Sequence, residues 1–164
     1  MGKKKSVAPK IDRSRIIVKS SPIHGKGVFV AKPIKKGDAI IEYKGERISW
    51  KLAEKRHPHD PKDPNHTFYF SLEDGRCIDA KYGGNAARWI NHSCKPSCET
   101  REDSFGGEPR VFIYAKRDLK LGEELFYDYS LDVEGRITKQ MKKDYECRCG
   151  AKNCRGTMLS LDDK

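Results

Sequence analysis

Gly84-Asn85-Ala86-Ala87-Arg88-Trp89-Ile90-Asn91-His92-Ser93-Cys94 is the stretch on which the fold turns. Its first half, glycine-led and alanine-rich, has room for one helical turn. Its second half sets three short hydrogen-bonding side chains, Asn91, His92 and Ser93, in a row, followed by Cys94 and, past Lys95-Pro96-Ser97, Cys98. Alone, it is also what a polar loop with ordinary turn bonds looks like, so its surroundings decide.

On its N-terminal side, apolar residues gather at 16–18, 27–30 and 39–41. From Arg15 to Tyr43, β-branched runs alternate with glycine, proline and lysine, which predicts short strands joined by turns. Residues 33–38 carry turn chemistry. Residues 49–56 are expected as a short helix with Ser49 as N-cap, ended by His57-Pro58. The following loop holds His57, His59, Asp60 and His66. It reads as solvated rather than as a second metal site, because it lacks the partners that fix ligands. Strands are expected at 67–72 and 76–79, split by Asp74-Gly75. Further on, 110–115 reads as a strand and 132–146, polar and charged, as a mobile connector. The whole is mostly β with little helix.

The chain has 164 residues, 36% hydrophobic and 35% charged, with a formal charge of +10. That length suits one domain with a real core. No apolar run approaches the ~20 residues of a membrane span, and no apolar stretch follows the basic N-terminus as a secretory signal requires. The expectation is a soluble, intracellular protein with no membrane partner. Lys3, Lys4, Lys5, Lys10, Arg13, Arg15 and Lys19 face only Asp12 within the first 20 residues. Such an arm either attracts nucleic acid or is simply solvated.

Six cysteines without a secretory signal point to metal rather than to disulfides. Cys147-Arg148-Cys149-Gly150-Ala151-Lys152-Asn153-Cys154 supplies three thiolates in one tight loop. A structural zinc takes four ligands. Cys94, Cys98, Cys77 and the histidines are all open candidates for the fourth. Gly122-Glu123-Glu124-Leu125-Phe126-Tyr127-Asp128-Tyr129 places two tyrosines at i and i+2, on one face of an extended segment. They either offer two phenols to one small volume or pack as core aromatics.

Together, in this order, these motifs resemble the SET-domain lysine methyltransferases, most closely the trithorax-like branch. The resemblance covers roughly residues 14–158. His24-Gly25-Lys26-Gly27-Val28-Phe29 resembles the family's first cofactor loop, and Glu42-Tyr43-Lys44-Gly45-Glu46 its next strand end. Gly84–Cys94 is similar to its most diagnostic stretch, Gly122–Tyr129 to its C-terminal motif and Cys147–Cys154 to its post-SET zinc loop. The resemblance implies several small sheets with short helices and a pseudoknot that brings Asn91 and His92 beside Tyr127 and Tyr129. It implies a basic arm over 1–13, the SET domain over 14–131, a connector over 132–146 and the zinc segment over 147–164. It assigns Lys26, Gly27, Phe29, Tyr43, Arg88, Asn91 and His92 to S-adenosylmethionine, and Cys94, Cys147, Cys149 and Cys154 to zinc. It makes Tyr129 the catalytic tyrosine and Tyr127 the residue that limits how many methyl groups are added. The implied partner is a protein with an exposed lysine, such as a histone or another basic chromatin protein.

The pattern is not uniform. Trp89 stands where phenylalanine is usual, and Ser97 replaces the common asparagine after Pro96. Phe68 falls where many relatives have a lysine-channel tyrosine, with Tyr69 next to it. Both are carried as channel residues, although strand neighbours face opposite ways, so Tyr69 substitutes only if the strand bulges. No pre-SET cysteine cluster precedes the domain. Two other readings compete. One is a catalytically silent, zinc-containing peptide-binding module. The other is a basic nucleic-acid binder, which calls for regularly spaced stacking aromatics that the sequence lacks.

Overall fold

A computed structural model describes residues 7–23, 25–56, 69–131 and 136–161, with Glu54 by its backbone alone. Ten short strands and two short helices make up the regular structure among them, with 3-10 turns at Arg13–Arg15 and Ala86–Trp89. Phe68, His24, Lys3, Lys4, Lys5 and the group His57, His59, Asp60 and His66 lie outside the described residues.

The β-branched runs form the strands expected of them. β1 (Ile16–Ser20) pairs antiparallel with β2 (Lys26–Val30). β3 (Ala39–Glu42) leads to β4 (Glu46–Ser49) and then α1 (Trp50–Arg56). The Ser49 hydroxyl accepts the Leu52 N–H at 3.1 Å, as an N-cap does. β5 (Tyr69–Ser71) and β4 flank β6 (Arg76–Asp79) in a three-stranded antiparallel sheet. After the 3-10 turn come β7 (Asn91–His92), β8 (Cys98–Phe105), β9 (Glu108–Ala115) and β10 (Phe126–Tyr127). β9 is the centre of a second three-stranded sheet, between β3 and β8.

β8 is the longest element the sequence reading lacked. Its residues, Cys-Glu-Thr-Arg-Glu-Asp-Ser-Phe, carry no apolar alternation. It forms because the backbone pairs with β9 over its full length and the turn suits a tight hairpin. Gly106 and Gly107 hold φ of +62° and +83°, the doubly left-handed turn that matches strand twist and favours glycine at both positions. Arg101 then lies 4.3 Å from the Tyr114 ring centroid, covering β9.

The core lies between the sheets and is aliphatic. Val28, Ile40, Val111, Ile113 and Leu125 have no exposed surface, and burying each such side chain contributes about 2 kcal/mol. Arg47 ties the β4–β6–β5 sheet to the hairpin, donating to the Pro109 carbonyl at 2.7 and 3.1 Å. Glu42 is bound bidentately by Arg110 at 2.6 and 2.9 Å.

The stretch read as a connector contains α2 (Lys139–Asp144). Its charged residues face solvent, while Thr138 caps it by accepting the Met141 N–H at 3.1 Å. The chain then folds back, with the Tyr145 carbonyl accepting the Met158 N–H at 2.7 Å. No helix among the described residues is long and apolar enough to cross a membrane.

Candidate functional site

β7 and β10 are only two residues each, yet they pair in parallel, Asn91 opposite Phe126 and His92 opposite Tyr127. A parallel pair needs a long crossover, and here the β8–β9 hairpin supplies it. The Ser93 N–H continues the pairing to the Tyr127 carbonyl at 3.3 Å. The Asn-His-Ser triplet and the tyrosine segment therefore lie side by side, as the resemblance implied.

Tyr127 and Tyr129 face the same volume, with ring centroids 4.9 Å apart. Phe70 closes it, 6.4 Å from Tyr127 and 5.2 Å from Tyr43. The Tyr129 hydroxyl donates to the Ile90 carbonyl. Its proton is committed there, so its lone pairs remain as acceptors. Burial pushes Tyr43, Tyr127 and Tyr129 well above the ordinary phenol pKa. All three therefore stay neutral at physiological pH.

The structure does not bring Tyr69 into this group. Its hydroxyl donates to the Ala53 carbonyl at 2.9 Å, and its ring meets Trp50 edge-on at 6.2 Å. It packs under α1 with Ile48, Ala53 and Cys77. Strand alternation is the reason: β5 has no bulge against β6, so Tyr69 and Phe70 point to opposite faces. Phe70 is the aromatic that reaches the tyrosines, and the sequence reading passed over it.

The Asn91 amide donates to the Lys26 carbonyl at 3.0 Å and to Glu124 Oε2 at 2.9 Å. Ser21 donates to the same carboxylate at 2.8 Å. Glu124 thus joins the first loop, β7 and the tyrosine segment, and it too was missed, because a second acid after Glu123 reads as surface charge. Gly27 has a definite role in this junction. A Cβ there would stand 2.4 Å from Glu124 Oε2 and 2.9 Å from its Cδ. Gly27→Ala is expected to push Glu124 off Ser21 and Asn91, at a cost of about 1–3 kcal/mol for the hydrogen bonds lost. Urea unfolding measures this, and Glu124→Gln, which keeps the shape, is expected to cost less.

The other expected cofactor residues flank this junction. Lys26 and Arg88 sit on the Trp89 ring at 4.9 and 4.8 Å. Phe29 is buried with Lys19 over its ring at 4.4 Å, and Tyr43 belongs to the core. His92 is buried, and desolvation brings its pKa down to about 4. Its Nδ1 accepts the Tyr129 N–H at 3.0 Å, and its Nε2 faces Cys94 Sγ at 3.5 Å. The ring is therefore neutral, with its proton on Nε2. A cleft opens between Asn91, His92 and Tyr129 on one side and Cys147 and Arg148 on the other. A larger cleft of about 350 Å³ is lined by Tyr43, Lys44, Arg47 and Arg110 and includes neither Tyr127 nor Tyr129.

Cys94, Cys147, Cys149 and Cys154 converge, with all four sulfurs within 4.8 Å of one another. Cys94 Sγ lies 3.7 Å from Cys147 Sγ and 4.0 Å from Cys154 Sγ. Four sulfurs at about 2.3 Å from a tetrahedral zinc would be about 3.8 Å apart, so the cage fits the ion. Backbone N–H groups of Cys149, Arg155 and Gly156 donate to the sulfurs of Cys147, Cys94 and Cys154 at 3.3–3.4 Å. Such donors favour thiolate, the form that metal takes. Cys98 is buried beside Ser97, and Cys77 lies under α1, so among the described residues Cys94 is the one that completes the four-sulfur cluster.

The family model described as "SET domain" matches residues 25–130. Histone-lysine N-methyltransferase trr of Drosophila melanogaster is 38% identical over 146 residues, 89% of this chain and 6% of its own length. Histone-lysine N-methyltransferase trithorax of Drosophila virilis is 38% identical over 135 residues, 82% of this chain and 3% of its own. A Candida albicans relative, named histone-lysine N-methyltransferase, H3 lysine-4 specific, is 39% identical over 137 residues, 83% of this chain and 13% of its own. The chain thus spans only a small part of the relatives it matches. The match extends from the first glycine loop through β7 to Tyr129 and covers more than half of the chain, while the Cys147–Arg148 side of the cleft lies beyond it: the chain belongs to the SET domain family.

Proposed function

We propose that the chain is an S-adenosylmethionine-dependent protein-lysine N-methyltransferase acting on a histone tail, with the tyrosine cage as its active site. The observation that carries this reading is the half-buried Tyr129, its phenol proton spent on Ile90, beside the Asn91–His92 cleft. The names of the relatives favour histone H3 as the first substrate to try, and a nuclear site of action follows from that choice.

When bound, S-adenosylmethionine supplies a methyl group on a sulfonium. The chain's part is to position an amine against it and to tolerate the moving charge. Positioning supplies most of the acceleration in such a displacement. Tyr43, Phe70 and Tyr127 form apolar walls around the amine's path, which disfavours an ammonium by desolvation. The lone pairs of Tyr129 would be available to accept weak C–H···O contacts from a polarised methyl. Lys26, Gly27, Phe29, Arg88, Asn91 and His92 are the residues we assign to the cofactor side. The zinc cage would hold the loop that forms the outer wall of the cleft. A silent peptide-binding module would not need the Tyr129 phenol with its lone pairs free.

Neutral phenols cannot serve as phenolate bases, which gives the reading a pH signature. A free lysine has a pKa of about 10.4, so below that value the neutral amine rises about tenfold for each unit by which the pH is raised. Both active-site tyrosines ionise above their ordinary range and so add no step between pH 7 and 9. With an H3 tail peptide, log kcat/KM is expected to climb with unit slope across that range. A plateau set by a group titrating near pH 7–8 would show an enzymic base that this account does not contain.

A further inference from the structure

Asp128 sits between the two tyrosines, and its carboxylate is held by Arg155, Nη1 to Oδ2 at 2.7 Å and Nη2 to Oδ1 at 3.0 Å. Parallel two-bond pairing of this kind fixes orientation as well as charge. Arg155 directly follows Cys154, and its own backbone N–H donates to Cys94 Sγ at 3.3 Å. One residue therefore grips the tyrosine segment with its side chain and the sulfur cage with its main chain. From the other side, the His92 ring reaches from Cys94 Sγ to the Tyr129 N–H. Tyr129 is thus tied to Cys94 by two separate routes.

Charge explains why an arginine stands here. Four thiolates around one zinc would leave a net charge of about −2. Asp128 is partly buried, with the neutral His92 ring between its Oδ1, 3.6 Å from Nδ1, and Cys94 Sγ, 3.5 Å from Nε2, so without Arg155 no cation would offset the two negative groups. With Arg155 in place, the cage and the carboxylate are both attracted to one cation, and folding of the cysteine loop draws Asp128, and Tyr129 with it, into register with β7. Arg155 also holds the Asp128 carboxyl below its usual range, although burial works against it.

We infer that Arg155 and Asp128 are positioning residues that couple the folded cysteine loop to the placement of Tyr129. The inference rests on the methyltransferase reading for its effect on rate, but its structural part stands apart from that reading. Both residues act through Tyr129 rather than on the reacting atoms.

The test uses the full chain, zinc-loaded, as wild type, Asp128→Asn, Arg155→Met and the double variant. Three quantities are read: zinc per chain by elemental analysis, exchange of the Tyr129 amide by NMR, and kcat and KM with an H3 peptide. Each single variant is expected to keep its zinc, to quicken Tyr129 amide exchange about tenfold, and to lower kcat about tenfold with KM little changed. The double variant is expected to match the worse single, because the two residues share one interaction. Arg155→Lys keeps the charge without the fork and should recover only part of the loss. Asp128→Asn leaves the cysteine loop untouched, so it decides the matter even if Arg155→Met fails to hold zinc. Wild-type protection of the Tyr129 amide in Asp128→Asn, or additive losses in the double variant, would overturn the coupling. A wild-type protein that transfers no methyl group would instead remove the methyltransferase reading, and amide exchange would still judge the clamp.

Discussion

Tyr129→Phe is expected to slow the first methyl transfer about a hundredfold at saturating substrate, the range seen when one positioned polar group is lost from an active site. The change removes both things the phenol does. The ring loses its tether to the Ile90 carbonyl, and the moving methyl loses an acceptor. Packing should survive, since the ring still meets Tyr127 and His92 at 4.9 and 5.3 Å. The loss should therefore appear in single-turnover rates rather than in unfolding midpoints. Tyr127→Phe, two residues earlier, is the contrast. Its hydroxyl is buried in the cage, where it can retain a water that a rotating methylamine would have to displace. Removing it should leave the first turnover within a few-fold of wild type and shift the product toward higher methylation. A Tyr129→Phe enzyme within threefold of wild type would end the assignment of Tyr129.

Removal of zinc is expected to have the second large effect. Structural zinc contributes about 10–16 kcal/mol of apparent binding free energy at neutral pH, far beyond what the small cluster of Cys94, Cys147 and Met158 supplies by packing. Elemental analysis should give about one zinc per chain. A strong chelator, or Cys147→Ser, should raise hydrogen exchange across residues 136–161 and abolish activity, because Cys147 and Arg148 form one wall of the cleft. The sheet residues around Ile113 should remain protected, as their core is separate from the cage. Metal-free protein with full activity would refute a role for the cage in the site.

How legible this site was in the sequence depends on the range of the forces involved. β1, β2, β3 and β9 were readable because β-branched runs report burial locally, and β5 and β6 because the Asp74-Gly75 turn splits them. The capped α1 was readable from Ser49. β8 was not, because backbone pairing to β9 and two turn glycines hold it rather than an apolar face. β7 and β10 are too short for any periodicity, and their parallel pairing is a property of the whole fold; only the family resemblance placed them together. The same is true of Cys94. Loop spacing could not choose it over Cys98 or Cys77, which the structure buries elsewhere. Tyr69, expected in the channel, packs under α1 instead. Alternation puts it and Phe70 on opposite faces, and only knowledge of which face meets Tyr43 selects Phe70. Glu124 and Arg155 look like ordinary surface charges in sequence, since their partners are about 30 to 100 residues away along the chain.

The most direct test incubates the zinc-loaded protein with methyl-labelled S-adenosylmethionine and core histones, followed by mass spectrometry of the products over time. The account predicts label on a lysine of histone H3, as monomethyllysine first and dimethyllysine later. No label on any histone, from folded protein shown by calorimetry to bind the cofactor, would contradict it and leave a peptide-binding module in its place.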